Sequence, residues 1–142
     1  MQDKEVYINK ILQDIFSLNS PAIEKLAENK LLGFIKLTIN GDTLKEYFAI
    51  NANLVNGEEG VVVYIITDTR LIKIDISTKG EAESSSFLLS SIINIQRKLL
   101  DNERAETQIL FQNDSFGLRY QSSDTKVSNF FQELDSLRVK KG

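Results

Sequence analysis

The apolar residues near the N-terminus recur at helical spacing. Within residues 4–18 they stand three or four positions apart, so they share one face of a helix. Ser20-Pro21 then predicts a second helix over residues 21–32, because Ser caps helices and Pro suits the first helical position. Gly33 is expected to end it, which makes a helical hairpin. The face of the first helix consists of Ile8, Ile11, Leu12, Ile15 and Phe16.

The next segment changes to a period of two. Ile35, Leu37 and Ile39 alternate with polar residues, which predicts a strand that ends at the turn formed by residues 40–42. Residues 43–55 fit a strand and a helical face equally well. The turn directly before them favours the strand.

Further strands follow with clearer patterns. A run of six apolar residues predicts a central strand, and the alternation after the turn at residues 67–70 predicts its neighbour. Residues 77–86 are polar and are expected to form a loop. With the two segments above, the total is about seven strands. The later strands are expected at residues 61–66, 71–76, 92–100, 107–112 and 116–121.

The chain ends in a predicted amphipathic helix. Either Ser123 or Asp124 can cap its N-terminus, and five apolar residues form one stripe along it. Short strands at regular spacing suggest a barrel or a sandwich. We therefore expect this helix to close one open end of a barrel with aromatic side chains. The stripe consists of Val127, Phe130, Phe131, Leu134 and Leu137.

Residues 63–76 carry a resemblance to a known family. They read Val-Tyr-Ile-Ile-Thr-Asp-Thr-Arg-Leu-Ile-Lys-Ile-Asp-Ile, which resembles the strand–turn–strand signature of bacterial pleckstrin-homology-like (PH-like) domains. Residues 86–92 are similar to the short strand and Ser-Ser-Ile that follow in this family. The family usually has a Pro in that element, where this chain has Leu88 or Leu89.

The resemblance implies a mainly β (α+β) fold. It covers about residues 34–138, which we expect to form a PH-like antiparallel barrel of seven strands with a C-terminal capping helix. Residues 1–33 lie outside it and are expected to be an N-terminal helical extension. Two amphipathic helices in such an extension can cap their own barrel or pack on another protein, and the sequence leaves both alternatives open.

Composition removes most catalytic and metal chemistry. The 142 residues fit one domain, and the chain contains no His, Cys or Trp. Ser-His-Asp triads, Cys nucleophiles, Cys/His zinc sites and disulfides are therefore excluded. The acidic pairs Glu58-Glu59 and Glu81/Glu83 lie in polar loops, which favours solvated charge over acid–base catalysis. We expect no catalytic residue, no cofactor, no metal site and no enzyme activity.

The charge distribution bears on partners and location. The formal net charge is −3, so no strongly basic surface is expected to attract nucleic acid. Lys36 and Lys45 stand beside Asp42 and Glu46, so the basic cluster of phosphoinositide-binding PH domains is not present. Residues 1–20 show no secretion signal and no apolar run reaches membrane-spanning length. We expect a cytoplasmic protein, and membrane contact is disfavoured.

Two sets of residues are candidates for a role. Asp68 and Arg70 lie in the turn of the PH-like signature, where a stabilising role in the turn is favoured over ligand binding. The apolar stripe of the first helix is the candidate interface. These features predict a non-catalytic binding or assembly module whose partner is another protein or a second copy. The alternative is a small apolar-ligand or lipid carrier that uses the barrel interior. The candidate interface consists of Ile8, Ile11, Leu12, Ile15 and Phe16.

Overall fold

The computed structural model describes residues 4–18, 23, 26–53 and 59–141. Within them the chain forms three α-helices, seven strands and one short 3-10 turn. The first helices are α1 and α2, the strands are β1 to β7, and the last helix is α3. In chain order they are α1 Lys4–Phe16, α2 Glu28–Ile39, β1 Leu44–Asn53, β2 Glu59–Thr67, β3 Arg70–Ile76, β4 Ala82–Leu88, the 3-10 turn Leu89–Ser91, β5 Ile92–Leu99, β6 Arg104–Phe111, β7 Ser115–Gln121 and α3 Thr125–Lys141.

All the observed strand pairs are antiparallel, and they form two separate sheets. One sheet has the order β1-β2-β3-β4 and the other has the order β5-β6-β7. Within the described residues no ladder joins the two, so the closed barrel expected from the sequence is wrong. The chain divides into two compact units between Ser86 and Phe87, inside β4.

The first unit is built on the four-stranded sheet. β2 is buried on both faces, as its continuous apolar run predicts, and it pairs with β1 on one side and β3 on the other. Helices α1 and α2 pack against the face that carries Val63, Ile65 and Ile74. The helices contribute the buried side chains Ile8, Ile11, Leu12, Ile15, Leu31, Ile35 and Ile39.

Helix α2 corrects two predictions. The expected strand over residues 35–39 is helical, and Gly33, expected to end a helix, lies exposed in its middle. Leu31, Ile35 and Ile39 stand four positions apart and form the buried face, whereas Leu37 is 77% exposed. An exposed Leu between two buried Ile residues imitates the alternation of a strand. The expected start of this helix at residue 21 lies outside the described residues.

Strand β4 corrects a third prediction, because residues 82–86 were expected to be part of a loop. β4 lies at an edge of its sheet, and the four residues 83–86 are exposed. Such a strand covers little of the core, so its sequence carries no hydrophobic alternation. By contrast, the ambiguous segment 43–55 does form a strand, β1, as far as Asn53.

The second unit combines the three-stranded sheet with α3. Phe131 lies against Tyr120 with ring centroids 5.5 Å apart, and Phe130 is fully buried. The hydroxyl oxygens of Thr107, which is buried, and Tyr120, which is half-buried, are 2.8 Å apart and share a hydrogen bond. Asp124 Oδ1 accepts hydrogen bonds from the N–H groups of Lys126 and Val127, so Asp124 rather than Ser123 caps the helix.

Candidate functional site

The turn between β2 and β3 is organised by the hydroxyl group of Thr67. Thr67 is fully buried, and its Oγ1 accepts hydrogen bonds from the backbone N–H groups of Thr69 and Arg70 at 3.2 and 2.9 Å. The same hydroxyl donates to Asp42 Oδ2 at 2.9 Å. A Thr at this position therefore fixes the turn and links it to a segment 25 residues earlier.

Asp42 gathers three side-chain donors on one carboxylate oxygen. Besides Thr67, its Oδ2 accepts from Thr69 Oγ1 at 3.1 Å and from Arg70 Nε at 2.7 Å. Burial favours the neutral acid, but the hydrogen bonds and the charge of Arg70 outweigh it. The pKa of Asp42 is therefore held below its usual value.

Arg70 reaches from the turn to the end of helix α2. Its Nη2 donates to the carbonyl oxygens of Thr38 and Ile39 at 2.8 and 2.9 Å, and its Nη1 donates to Ser86 Oγ at 3.3 Å. The last carbonyls of a helix lack partners within the helix, and a cation there also suits the helix dipole. We call Asp42, Thr67 and Arg70 the Arg70 clamp.

The other candidate in this turn, Asp68, binds the backbone of Thr43, directly before β1. Its backbone N–H donates to the Thr43 carbonyl oxygen at 3.0 Å, and its Oδ1 accepts from the Thr43 N–H at 3.1 Å. The side chains of Asp68 and Arg70 thus both bind groups of the same chain. This geometry holds β1, the turn and α2 in place.

Sequence reasoning missed Asp42 as the partner of Arg70. The two residues are 28 positions apart, and the expected strand over residues 35–39 placed Asp42 in an ordinary hairpin turn. Once residues 28–39 are known to be helical, the last carbonyls of the helix, which lack partners within it, call for a donor such as Arg70. The need of these carbonyls for a donor was the signal by which Arg70 could have been assigned to the end of the helix.

The candidate interface on α1 is covered by the chain itself. Ile8, Ile11, Leu12 and Ile15 are buried in the core of the first unit, and Phe16 packs against it half-buried. Of the two alternatives left open by the sequence, this is the one in which the helices cap their own sheet. Four of the five side chains of the stripe are therefore covered by the chain's own core, and Phe16 is covered in part.

Several of the surface charges are joined in ion pairs. Arg97 binds Asp135 at 2.7 Å, Arg104 binds Asp101 at 3.0 Å, and Arg119 binds Glu106 at 2.8 Å. In the first unit, Lys36 binds Glu5 at 2.8 Å. Lys98 takes part in none of the ion pairs found among the described residues.

Strand β5 stands out for its exposure. It lies at an edge of the three-stranded sheet, and six of its eight residues are exposed. Ile93 is 61% exposed at an irregularity in the β5–β6 register, and Leu99 is 68% exposed. We call the exposed side chains of this strand the β5 edge: Ile93, Asn94, Gln96, Arg97, Lys98 and Leu99.

Among the described residues, each helix is too short or too polar to cross a membrane.

The antiparallel strands in two sheets and the C-terminal helix define a PH-like fold. Among solved structures the chain is similar to a DUF1696 family protein with a pleckstrin-homology domain from Shewanella loihica PV-4. The two share 14% sequence identity with a TM-score of 0.52, over 78% of this chain and 95% of that chain. This likeness shows the fold. No protein-family model matches the chain, and no curated protein matches it.

Proposed function

We propose that this protein is a non-catalytic PH-like binding module whose partner is a protein and whose contact surface is the β5 edge. Domains of this fold are generally binding modules, which supports the general class. The observation that carries the proposal is the exposure of two large apolar side chains, Ile93 and Leu99, on one edge strand. Exposed apolar side chains on an edge strand favour contact with another chain.

We further propose that the occupant of the β5 edge is a second copy of this chain. The edge carries Lys98, which is in no ion pair among the described residues, beside Arg97. The complementary charge is found on the chain itself, where Glu81 and Glu83 are exposed at the start of β4. β4 is also an edge strand, so one copy can present β4 to the β5 of the next.

The alternative of β5 against β5 is disfavoured by charge and by backbone geometry. It would bring Arg97 and Lys98 of both copies together, and like charges across an interface are repulsive. The irregular register at Ile93 and the presence of Lys98 are also features by which edge strands avoid pairing with themselves. Contact between β4 and β5 is head-to-tail, so it builds a ring or an open chain rather than a two-fold dimer.

Helix α1 is a weaker candidate for the contact. Its apolar stripe was expected to be an interface because it seemed surplus to the core, and that reason is removed by its burial against the chain's own sheet. The carrier alternative needs the interior of a closed barrel, whereas the described strands lie in two sheets. The β5 edge is therefore the surface on which the proposal rests.

Light scattering coupled to gel filtration tests the proposal over a concentration series. The wild-type chain is expected to associate at micromolar concentration, and Ile93→Ser with Leu99→Ser is expected to return it to a monomer. Leu37→Ser is the matched control, because it removes an exposed Leu from helix α2 instead of β5. A monomeric wild type, or equal effects of both variants, would contradict the proposal.

Charge reversal tests the identity of the partner strand. Lys98→Glu is expected to weaken association, and Glu83→Lys in the same chain is expected to restore it, since the opposite charges are then exchanged. Association should also weaken as salt is raised, because exposed charges are screened. If Lys98→Glu has no effect while the apolar double variant does, the β4 contact is wrong and the β5 edge meets a different surface of the second copy.

A further inference from the structure

The chain leaves helix α2 through a tight turn over residues 39–42. The Asp42 N–H donates to the Ile39 carbonyl oxygen at 3.2 Å and closes it. Asn40 has φ 52° and ψ −124°, close to the first central position of a type II′ turn, which is about +60° and −120°. Gly usually fills that position because a side chain at positive φ is strained. Asn40 is thus held in an unusual conformation directly before Gly41.

This value of ψ aligns two groups that can react with each other. The N, Cβ and Hα atoms of an L residue are spaced evenly around the Cα–C bond, with Cβ one third of a turn from N in the negative sense. At ψ −124° the Gly41 nitrogen is therefore almost eclipsed with Cβ of Asn40. Rotation about the Cα–Cβ bond of Asn40 is then enough to bring its amide carbon, Cγ, to that nitrogen.

The approach is open on the side of Gly41. Asn40 and Gly41 are both exposed, and a Cβ placed on Gly41 would meet no heavy atom within 4 Å. No hydrogen bond from the Gly41 N–H is found within the part of the chain that the structure describes. The nitrogen therefore needs to break no bond within that part before it attacks.

We infer that Asn40-Gly41 is a site of spontaneous deamidation whose rate is raised by the fold. The Gly41 nitrogen gives its proton to hydroxide and forms a bond to Cγ of Asn40, which closes a five-membered succinimide ring. The side-chain nitrogen takes up a proton and leaves as ammonia. Water then adds to either ring carbonyl and opens the ring, leaving aspartate or isoaspartate at residue 40. Water is the only co-reactant, and there is no change of oxidation state.

The products act on the Arg70 clamp. Arg70 binds both ends of this turn, the Ile39 carbonyl oxygen and the Asp42 carboxylate. A carboxylate at residue 40 adds negative charge at the C-terminal end of α2, where the helix dipole disfavours it. Isoaspartate also lengthens the main chain inside the closed turn. Deamidation is therefore expected to loosen the attachment of α2 to the β2–β3 turn.

The rate comparison between folded and unfolded chain tests the inference. Purified protein is incubated in mildly alkaline buffer with and without urea, and conversion is followed by peptide mass mapping, as a gain of about 1 Da, and by isoaspartyl methyltransferase labelling. Residue 40 is expected to convert about twofold faster or more in the folded chain than in urea, since its reacting atoms are already positioned. Slower conversion in the folded chain would overturn the inference.

The chain supplies its own reference and its own control variants. Asn56-Gly57 is the same dipeptide, so the two sites should convert at similar rates in urea. Gly41→Ala fits the open space beside the turn and is expected to slow conversion at residue 40 about tenfold by crowding the nitrogen. Asn40→Gly suits the positive φ and removes the reactive amide. If Gly41→Ala converts as fast as wild type, attack by this nitrogen is not the route.

Discussion

The hydroxyl group of Tyr47 donates a 2.6 Å hydrogen bond to Oδ2 of Asp14, and this bond joins helix α1 to strand β1. Tyr47 is buried, and its ring meets Tyr7 edge-on with centroids 5.6 Å apart. Burial and the neighbouring Asp14 carboxylate both raise the pKa of Tyr47. The phenol therefore stays a donor across the physiological range and anchors the helix to its sheet.

Removal of this hydroxyl is expected to destabilise the fold. Tyr47→Phe keeps the ring and its packing but loses a hydrogen bond to a charged group, which corresponds to about 1.5–3 kcal/mol of unfolding free energy. Urea denaturation at neutral pH measures it. Tyr7→Phe is the matched control, because the Tyr7 hydroxyl donates to a neutral acceptor, the Lys45 carbonyl oxygen, at 3.0 Å, and its loss should cost about 0.5–1.5 kcal/mol. Equal losses in both variants would contradict the role of Asp14.

The Arg70 clamp predicts loss of stability in acid. The pKa of Asp42 is lower in the folded chain than its ordinary value of 3.8, so the unfolded chain binds the proton more readily. The stabilisation from this group is complete above the unfolded pKa and is lost as the pH falls through the folded pKa. Unfolding free energy measured by urea between neutral pH and pH values below 3.8 should therefore decrease.

A variant separates Asp42 from the other carboxylates. Asp42→Asn is expected to lower stability at neutral pH and to show a shallower acid decrease than wild type, since its group no longer titrates. Asp101→Asn is the comparison, because the pKa of Asp101 is also lowered, mainly by the backbone N–H of Glu103, while that residue is exposed. If the unfolding free energy of Asp42→Asn falls with pH as steeply as that of wild type, the Arg70 clamp does not control the acid dependence of stability.

Arg70 is expected to resist replacement by Lys. Its three guanidinium nitrogens bind Asp42, two carbonyl oxygens of α2 and Ser86. The single ammonium nitrogen of Lys cannot reach all of these acceptors at once. Arg70→Lys should therefore lose about 1–3 kcal/mol of unfolding free energy, as expected when charged hydrogen bonds are lost. Lys45→Arg serves as a conservative surface control. Full stability in Arg70→Lys would show that charge alone is sufficient at this position.

How far the sequence predicted this structure depends on how much each segment faces the core. The strand β2 and the stripe of α3 carry continuous or periodic apolar residues on buried surfaces, so their positions were predictable. Leu37 and Gly33 led to the wrong prediction for α2. Both are exposed on the helix, and packing does not restrict the residue type at exposed positions. β4 escaped prediction for the related reason that five of its seven residues are exposed.

The candidate site was predictable only in part. Arg70 and Asp68 were identified from a local signature, because the conformation of a turn is determined by adjacent residues. The clamp needed Asp42 as well, and the link between residues 28 positions apart depends on where α2 ends. Likewise, the burial of Ile11 and Ile15 depends on a helix–sheet contact that amphipathic spacing alone does not specify, since any apolar partner satisfies it.

The aromatic stripe of α3 supports a prediction about core packing. Phe130 is fully buried and meets Phe131 edge-on with centroids 5.4 Å apart. Phe130→Ala removes a large buried side chain and is expected to cost about 3–5 kcal/mol of unfolding free energy. Thermal and urea melts measure it, with exposed Gln132→Ala on the same helix as control. If Phe130→Ala melts like wild type, the helix does not contribute to the core.

The exposed Gly33 in helix α2 predicts a substitution that stabilises the protein. A Gly inside a helix costs about 0.5–1 kcal/mol relative to Ala, because the unfolded chain has more backbone freedom to lose. A Cβ at this position would meet no heavy atom within 4 Å, so Gly33→Ala needs no rearrangement. Its unfolding free energy should rise by about 0.5–1 kcal/mol, measured by urea denaturation. Gly117→Ala is the contrasting variant, because its Cβ would lie 3.3 Å from Cγ of Gln108 in the β6–β7 pair. A loss of stability in Gly33→Ala would mean that residues 28–39 are not one continuous helix, and the strand first predicted over residues 35–39 would have to be reconsidered.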